Sequence, residues 1–225
     1  MKFFISLYII ASVLLNIPGI NNNSRLIKSL SRFAVSSEMQ NRREIVLDTE
    51  IFDQLTGSIY SITGCGPTSA AMLMHSEKGL DITKDQAVVQ AYSGGYYYFA
   101  GLNFTSGRGV TQENIQGFIS SCGYSSQIDH LWNNSDEEIL MKLNYHLNEN
   151  KRVIVGHNSP HGFLHYALVY GKYYENGICC YKVADPWGGL DSVWSENEML
   201  KYITTVGGED STTFEGLVKG IQWLS

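Results

Sequence analysis

The sequence predicts an α+β fold, with helices through the first two-thirds of the folded part and an antiparallel sheet after them. Three observations predict it. Four segments carry a Ser/Thr-x-x-Glu/Gln/Asn arrangement ahead of apolar residues at helical spacing, the signature of a capped helix start. From Arg152 the pattern changes to short apolar runs separated by turn residues, which read as strands. Helices followed by strands, rather than alternating with them, sort the two kinds of element into separate layers.

Composition bounds what such a chain can do. At 225 residues and 44% hydrophobic content, it is long enough for one domain with a substantial core and short for two. A net charge of −6, with lysine and arginine scattered, leaves no basic footprint, so nucleic acid is not expected as a partner. Cys65, Cys122, Cys179 and Cys180 show no CxxC spacing, which suggests neither a zinc knuckle nor a disulfide framework. No metal or other cofactor is expected. A bridge from Cys122 to the later cysteines is conceivable in an oxidising exterior.

At the N-terminus, Lys2 precedes an apolar run from Phe3 to Leu15 broken only by Ser6 and Ser12. Spanning a bilayer takes about 20 apolar residues, so the run fits a secretory signal peptide better than a transmembrane helix. No Ala-x-Ala follows; Ile17-Pro18-Gly19 is the nearest small-residue candidate, which leaves an uncleaved anchor as the alternative. Residues 1–19 are thus expected to be a signal peptide or anchor. Residues 20–44, polar and Asn/Ser-rich, are expected to be a linker or short pro-segment, and 45–225 the folded domain. The expected location is secreted or extracytoplasmic, with membrane association only through residues 3–15.

The folded part opens on a strand-like Ile45-Val46-Leu47 and then reaches Gly64-Cys65-Gly66-Pro67-Thr68-Ser69-Ala70-Ala71-Met72. Proline just inside a helix start and small residues after it predict a helix from Cys65 to about Lys78, stopped by Gly79. Unpaired backbone N–H groups and the positive end of the helix dipole favour thiolate over thiol at Cys65. Gly64 and Gly66, lacking Cβ, would let a substrate backbone approach the sulfur. A buried structural cysteine is the reading this triplet supports when taken alone.

The capped starts follow in order: Thr83 with Gln86, Thr111 with Asn114, Ser135 with Glu138, and Ser195 with Glu198. Between the first two lies Ser93 to Gly109, glycine-rich and carrying Tyr96, Tyr97, Tyr98, Phe99 and Phe104, which reads equally as a loop packed by its own aromatics or as a cleft wall. Strands are expected at Val153–Gly156, Tyr166–Tyr170 and Ile178–Val183, the last two joined through Glu175-Asn176-Gly177.

Nucleophilic cysteine chemistry needs a thiolate, a histidine to hold and return its proton, and a third group to orient the histidine. If Glu175-Asn176-Gly177 is a three-residue loop, Tyr174 faces Ile178 and Ala167 faces Asp185. His165 and Asp185 then project from one face as diagonal cross-strand neighbours. A two-residue Asn-Gly turn would shift the register by one and put them on opposite faces.

The other histidines fit less well. His157, His161 and His165 are spaced by four, but Pro160 and Gly162 argue against the helix that would align them on a metal. His161 keeps a claim as a cleft residue. His75 lies about 15 Å along the helix from Cys65, and His130 and His146 read as surface residues. Gln54, eleven residues ahead of Cys65, is placed to lend a side-chain N–H to an oxyanion hole beside the Cys65 backbone N–H. Pro186 ends the strand after Asp185, and Trp187 either shields a His–Asp pair or is core.

The ordered set of Gln54, Gly64 to Met72, His165-Tyr166-Ala167-Leu168-Val169-Tyr170-Gly171 and Val183-Ala184-Asp185-Pro186-Trp187-Gly188 resembles the papain-like peptidases related to the bacteriocin-processing, double-glycine leader peptidases. The resemblance covers about residues 45–190. It implies a papain-like fold whose central nucleophile helix packs on a C-terminal antiparallel sheet. It further implies Cys65 as nucleophile, His165 as acid/base, Asp185 as orienting residue and Gln54 as oxyanion donor, acting on a peptide or protein substrate through a thioacyl-enzyme. Leader peptidases proper sit in front of an ATP-driven exporter, and no such domain follows here, so the chain looks like a free-standing relative. The same residues would also serve an amidase, deamidase or transferase, or persist in a peptide-binding module without turnover.

Overall fold

The capping signals translate directly into helices. In the computed structural model, which describes residues 44–59, 61–98, 109–160 and 162–225, the hydroxyls of Thr83, Thr111, Ser135 and Ser195 each accept from the backbone N–H three residues on. Each partner side chain reaches back to the cap N–H. These reciprocal pairs open α2 (Lys84–Ser93), α3 (Gln112–Ser121), α4 (Asp136–Asn148) and α5 (Glu196–Thr204), and each satisfies two of the donors that a helix start leaves unpaired. The helix ahead of them, α1 (Cys65–Lys78), has Gly64 as N-cap and no side-chain cap; every residue from Cys65 to Met74 is buried. A short α6 (Phe214–Val218) follows α5.

The strands are β1 (Ile45–Val46), β2 (Ser126–His130), β3 (Val153–Asn158), β4 (Leu164–Glu175), β5 (Ile178–Asp185), β6 (Leu190–Ser195) and β7 (Gly220–Leu224). They form one antiparallel sheet in the order β2-β7-β3-β4-β5-β6, with β1 added to β4. One face packs α1 against Ile154, Tyr166, Leu168 and Ala184. The other carries Val153, Val155, Ala167, Val169 and Val183 against α4 and α5, through Leu143, Met199 and Ile203. Burial on both faces explains why 153–155 and 166–170 are continuous apolar runs rather than alternating ones. Each such aliphatic side chain contributes roughly 1.5–3 kcal/mol by leaving water. The expected arrangement, a central helix bearing Cys65 against a C-terminal antiparallel sheet, is the one observed. β2, β6 and β7 were not legible as strands.

The β4–β5 connection differs from expectation. Asn176 and Gly177 both have positive φ, 50° and 80°, and Glu175 pairs with Ile178, so the turn has two residues of the primed type that Asn-Gly favours. Tyr174 consequently faces Cys179, not Ile178. That register would separate His165 from Asp185, but it does not persist. The ladder slips between Gly171, which faces Lys182, and Val169, which faces Val183. Tyr170 is the extra residue, a bulge that returns the remainder of β4 to the other parity.

The bulge is held from both sides. β1 pairs Val46 with Gly171, and the Leu47 N–H donates to the Tyr170 carbonyl at 3.0 Å. A Cβ at Gly171 would lie 2.6 Å from the Ile45 carbonyl oxygen, so β1 approaches this closely because the residue is glycine. The Tyr170 hydroxyl donates to Asp191 at 2.5 Å, and Lys182 pairs with the same carboxylate at 2.6 Å.

Other expectations are corrected or fall elsewhere. His146 is a core residue stacked on Trp223 at 3.7 Å, filling the gap between α4 and β7. His130 stacks on Trp132 and pairs with Glu113. All four cysteines are free thiols, so Cys122 makes no bridge. In the aromatic loop Tyr97 is buried and Tyr98 exposed. Residues 99–108, His161 and residues 1–43, with the calls made on them, lie outside the described residues. Among the described residues no helix is long and apolar enough to cross a membrane.

Candidate active site

The bare N-terminus of α1 presents Cys65, which is 8% exposed. His165 stands near the start of β4 and Asp185 at the end of β5. The bulge leaves them on one face, where His165 Nε2 lies 2.7 Å from Asp185 Oδ1. The carboxylate is itself fixed: Oδ1 also accepts the Trp187 N–H at 2.9 Å, closing an Asx turn over Pro186. Because Asp185 only accepts, the Nε2 proton points at it. Nδ1 has no hydrogen-bond partner among the described residues, and the Cys65 sulfur is close enough to act on the charge of the ring.

The charges follow from this geometry. Burial disfavours an imidazolium at His165, but the Cys65 charge opposes it, and the Asp185 hydrogen bond adds to that. Together they raise the group to about 9. Burial likewise pushes the Asp185 carboxyl up, and its hydrogen bond to His165, the His165 charge and the Trp187 N–H bring it below the ordinary carboxylate range. At neutral pH the site holds an imidazolium between a carboxylate and a sulfur. Such a set can deliver a thiolate to a carbonyl carbon and a proton to a leaving nitrogen.

Gln54 sits elsewhere in the hydrogen-bond pattern than its expected role requires. It is fully buried, and its side-chain amide donates to the carbonyls of Ser61 and Ile62 at 3.0 and 2.8 Å. Its backbone N–H donates to the Pro186 carbonyl at 2.8 Å. Gln54 thereby ties the approach to α1 to the end of β5, with both amide hydrogens engaged. Tyr97 stiffens the same approach, its hydroxyl bonding to those of Ser61 at 2.9 Å and Thr63 at 2.5 Å.

The glycines flanking Cys65 are filled by the chain itself. A Cβ at Gly64 would meet Ser61 Oγ at 2.4 Å, and one at Gly66 would meet the Val110 side chain at 2.1 Å. Trp187 is half-buried and nearly perpendicular to His165 at 6.5 Å, with Phe163 between the same walls, 5.0 Å from Trp187. His75 pairs with Glu50 at 2.8 Å, away from the site. Sequence reasoning weighed His157 only as a metal ligand; β3 places it directly across from His165, their rings 5.3 Å apart. The signal was its distance before His165, which suits a hairpin as well as a helix. Among the described residues no group of three or more His, Cys, Asp or Glu converges as a metal site.

No protein-family model matches the chain, and no curated protein does. Among solved structures, the chain is similar to a prointerpain A fragment from Prevotella intermedia, with a TM-score of 0.49 at 12% identity, covering 92% of this chain and 85% of that one. It is similar to UfSP from C. elegans with a TM-score of 0.45 at 12% identity, over 81% of this chain and 34% of that one. To procathepsin L 3 of the Tenebrio molitor larval midgut the TM-score is 0.37 at 10% identity, over 84% and 78% of the two chains. The functional reading therefore rests on the site's geometry.

Proposed function

We propose that the chain is a cysteine peptidase that hydrolyses peptide bonds through a thioacyl-enzyme. The observation that carries the reading is the His165 ring, held by Asp185 through Nε2 with its other nitrogen left for Cys65 at a helix N-terminus. In this reading the Cys65 thiolate attacks the scissile carbonyl carbon, forming a C–S bond. The oxyanion is held by the Cys65 backbone N–H and by Gln54, one of whose amide hydrogens leaves its loop carbonyl to do so. His165 gives its Nδ1 proton to the leaving amine as the C–N bond breaks. His165 then takes a proton from water, which attacks the thioester and releases the acid and the thiolate.

Gly64, Gly66 and Trp187 would border the substrate, and the chain would be a relative of the bacteriocin-processing peptidases, exported by its N-terminal segment. The test is iodoacetamide alkylation of the full-length chain across pH 4 to 9, each cysteine read by mass spectrometry. Cys65 is expected to react far faster than Cys122, Cys179 and Cys180 below pH 7, with the advantage lost in His165→Ala. An ordinary or inert Cys65 thiol overturns the proposal.

A further inference from the structure

Among the described residues three rings surround His165, each nearly perpendicular to it: His157 at 5.3 Å and 80°, Phe163 at 5.7 Å and 83°, and Trp187 at 6.5 Å and 84°. Phe163 and Trp187 are what an apolar wall calls for. His157 is different. It is fully buried, paired with His165 across the β3–β4 ladder, and enclosed on its other sides by Trp194 at 4.8 Å and Tyr202 at 6.3 Å. By full hydrogen-bond geometry neither of its ring nitrogens has a partner among the described residues; the Asn158 backbone is in range of the ring and favours its protonated form. A buried polar atom without a partner is a cost that a phenyl ring of the same shape avoids. Packing alone therefore does not account for an imidazole here.

The neighbouring charge does. His165 carries its proton in a place from which water is excluded, and a charge there is stabilised by fixed dipoles in place of a hydration shell. Asp185 holds Nε2 of His165 and Nδ1 is left for Cys65, so the flanks of the ring fall to the perpendicular rings. Of these, only His157 combines full burial with a polar ring. It also stays neutral: burial first, then the His165 charge, hold it down at about 3, against smaller opposing pulls from the Asn158 backbone and then Asp185. The titratable groups facing it are His165, Asp185 and Tyr202.

We infer that His157 is a positioning residue, a neutral dipole that takes the place of water beside the His165 imidazolium and so sustains the charged Cys65–His165 pair. The inference rests on the cysteine-peptidase reading, and its test separates the two. The ring resonances of His165 are followed by NMR against pH in the full-length chain, in Cys65→Ala and in His157→Phe. The parent is expected to titrate well above the ordinary histidine range, and Cys65→Ala to bring it down; a parent that titrates as an ordinary histidine, unmoved by Cys65→Ala, removes the peptidase reading itself. With the parent as expected, His157→Phe is expected to lower the His165 midpoint by about one unit, a tenfold loss for the charged form. A midpoint matching the parent's overturns the inference, leaving His157 as filler. Should His157→Phe not fold, His157→Gln decides, since it keeps a neutral dipole without the ring: a midpoint within about 0.3 unit of the parent's supports the inference, and a fall of about a unit or more overturns it.

Discussion

The two ends of the β4–β5 hairpin obey different registers. At the turn end, Glu175 faces Ile178 across a two-residue Asn176–Gly177 turn. At the site end, past Tyr170, the pairing has moved by one residue, and there His165 meets Asp185. The turn end is local and its geometry follows from Asn-Gly chemistry. The site end is governed by a bulge held by β1 and by the Asp191 carboxylate, neither of which is near in sequence. A hairpin's turn thus determines its register only as far as the first bulge, and the groups proposed to do chemistry lie beyond it.

The strongest way to break the comparison is Gly171→Val, whose side chain would run into the Ile45 carbonyl oxygen and push β1 off the bulge. With the bulge released in a chain of unchanged length, the turn-end register runs the full length, His165 and Asp185 point to opposite faces, and Cys65 alkylation below pH 7 is expected to fall by about two orders of magnitude or more. Circular dichroism on the same sample verifies that the sheet persists. If alkylation keeps the parent's rate in a folded sheet, the bulge does not set the pair.

A second effect separates the ends by their response to pH. His165 is raised in the folded state, so its contribution to stability is fully present below its unfolded value near 6.5. It is lost as pH rises through about 9. Urea unfolding from pH 6 to 10 is expected to show an alkaline loss of up to about 3 kcal/mol, and His165→Ala should flatten it.

The smallest effect belongs to the turn. Asn176→Ala removes the short polar side chain that lets asparagine tolerate the left-handed region, and is expected to cost about 1 kcal/mol at every pH. Cys65 alkylation should stay at the parent's rate, because the bulge insulates the site from the turn. A changed alkylation profile in this variant would show the two ends to be coupled.

What was legible in the sequence was local. The bounds of α1 and the four boxed helix starts followed from caps and glycine stops. Cys65, His165 and Asp185 stood out because each carries its context within a few residues. The shared face of His165 and Asp185 was inferred from a three-residue loop that does not exist; the bulge supplies the same parity by another route. Nothing near Tyr170 announces it, since it depends on β1 arriving against Gly171. Gln54 was placed by its distance from Cys65, but distance does not reveal that its amide is held by Ser61 and Ile62. His146 is polar by composition and core by position, because Trp223 comes from the far end of the chain to cover it.

Of the described helices, α1 alone begins without a side-chain cap. For anyone engineering this protein, position 64 is the one helix start where the usual improvement is closed. A serine or aspartate there is worth about 1 kcal/mol at an ordinary helix, yet its Cβ would collide with Ser61 Oγ. Its oxygen would also occupy the donors that face the thiol. Stabilising designs should therefore start at the other end of the molecule and leave this glycine alone.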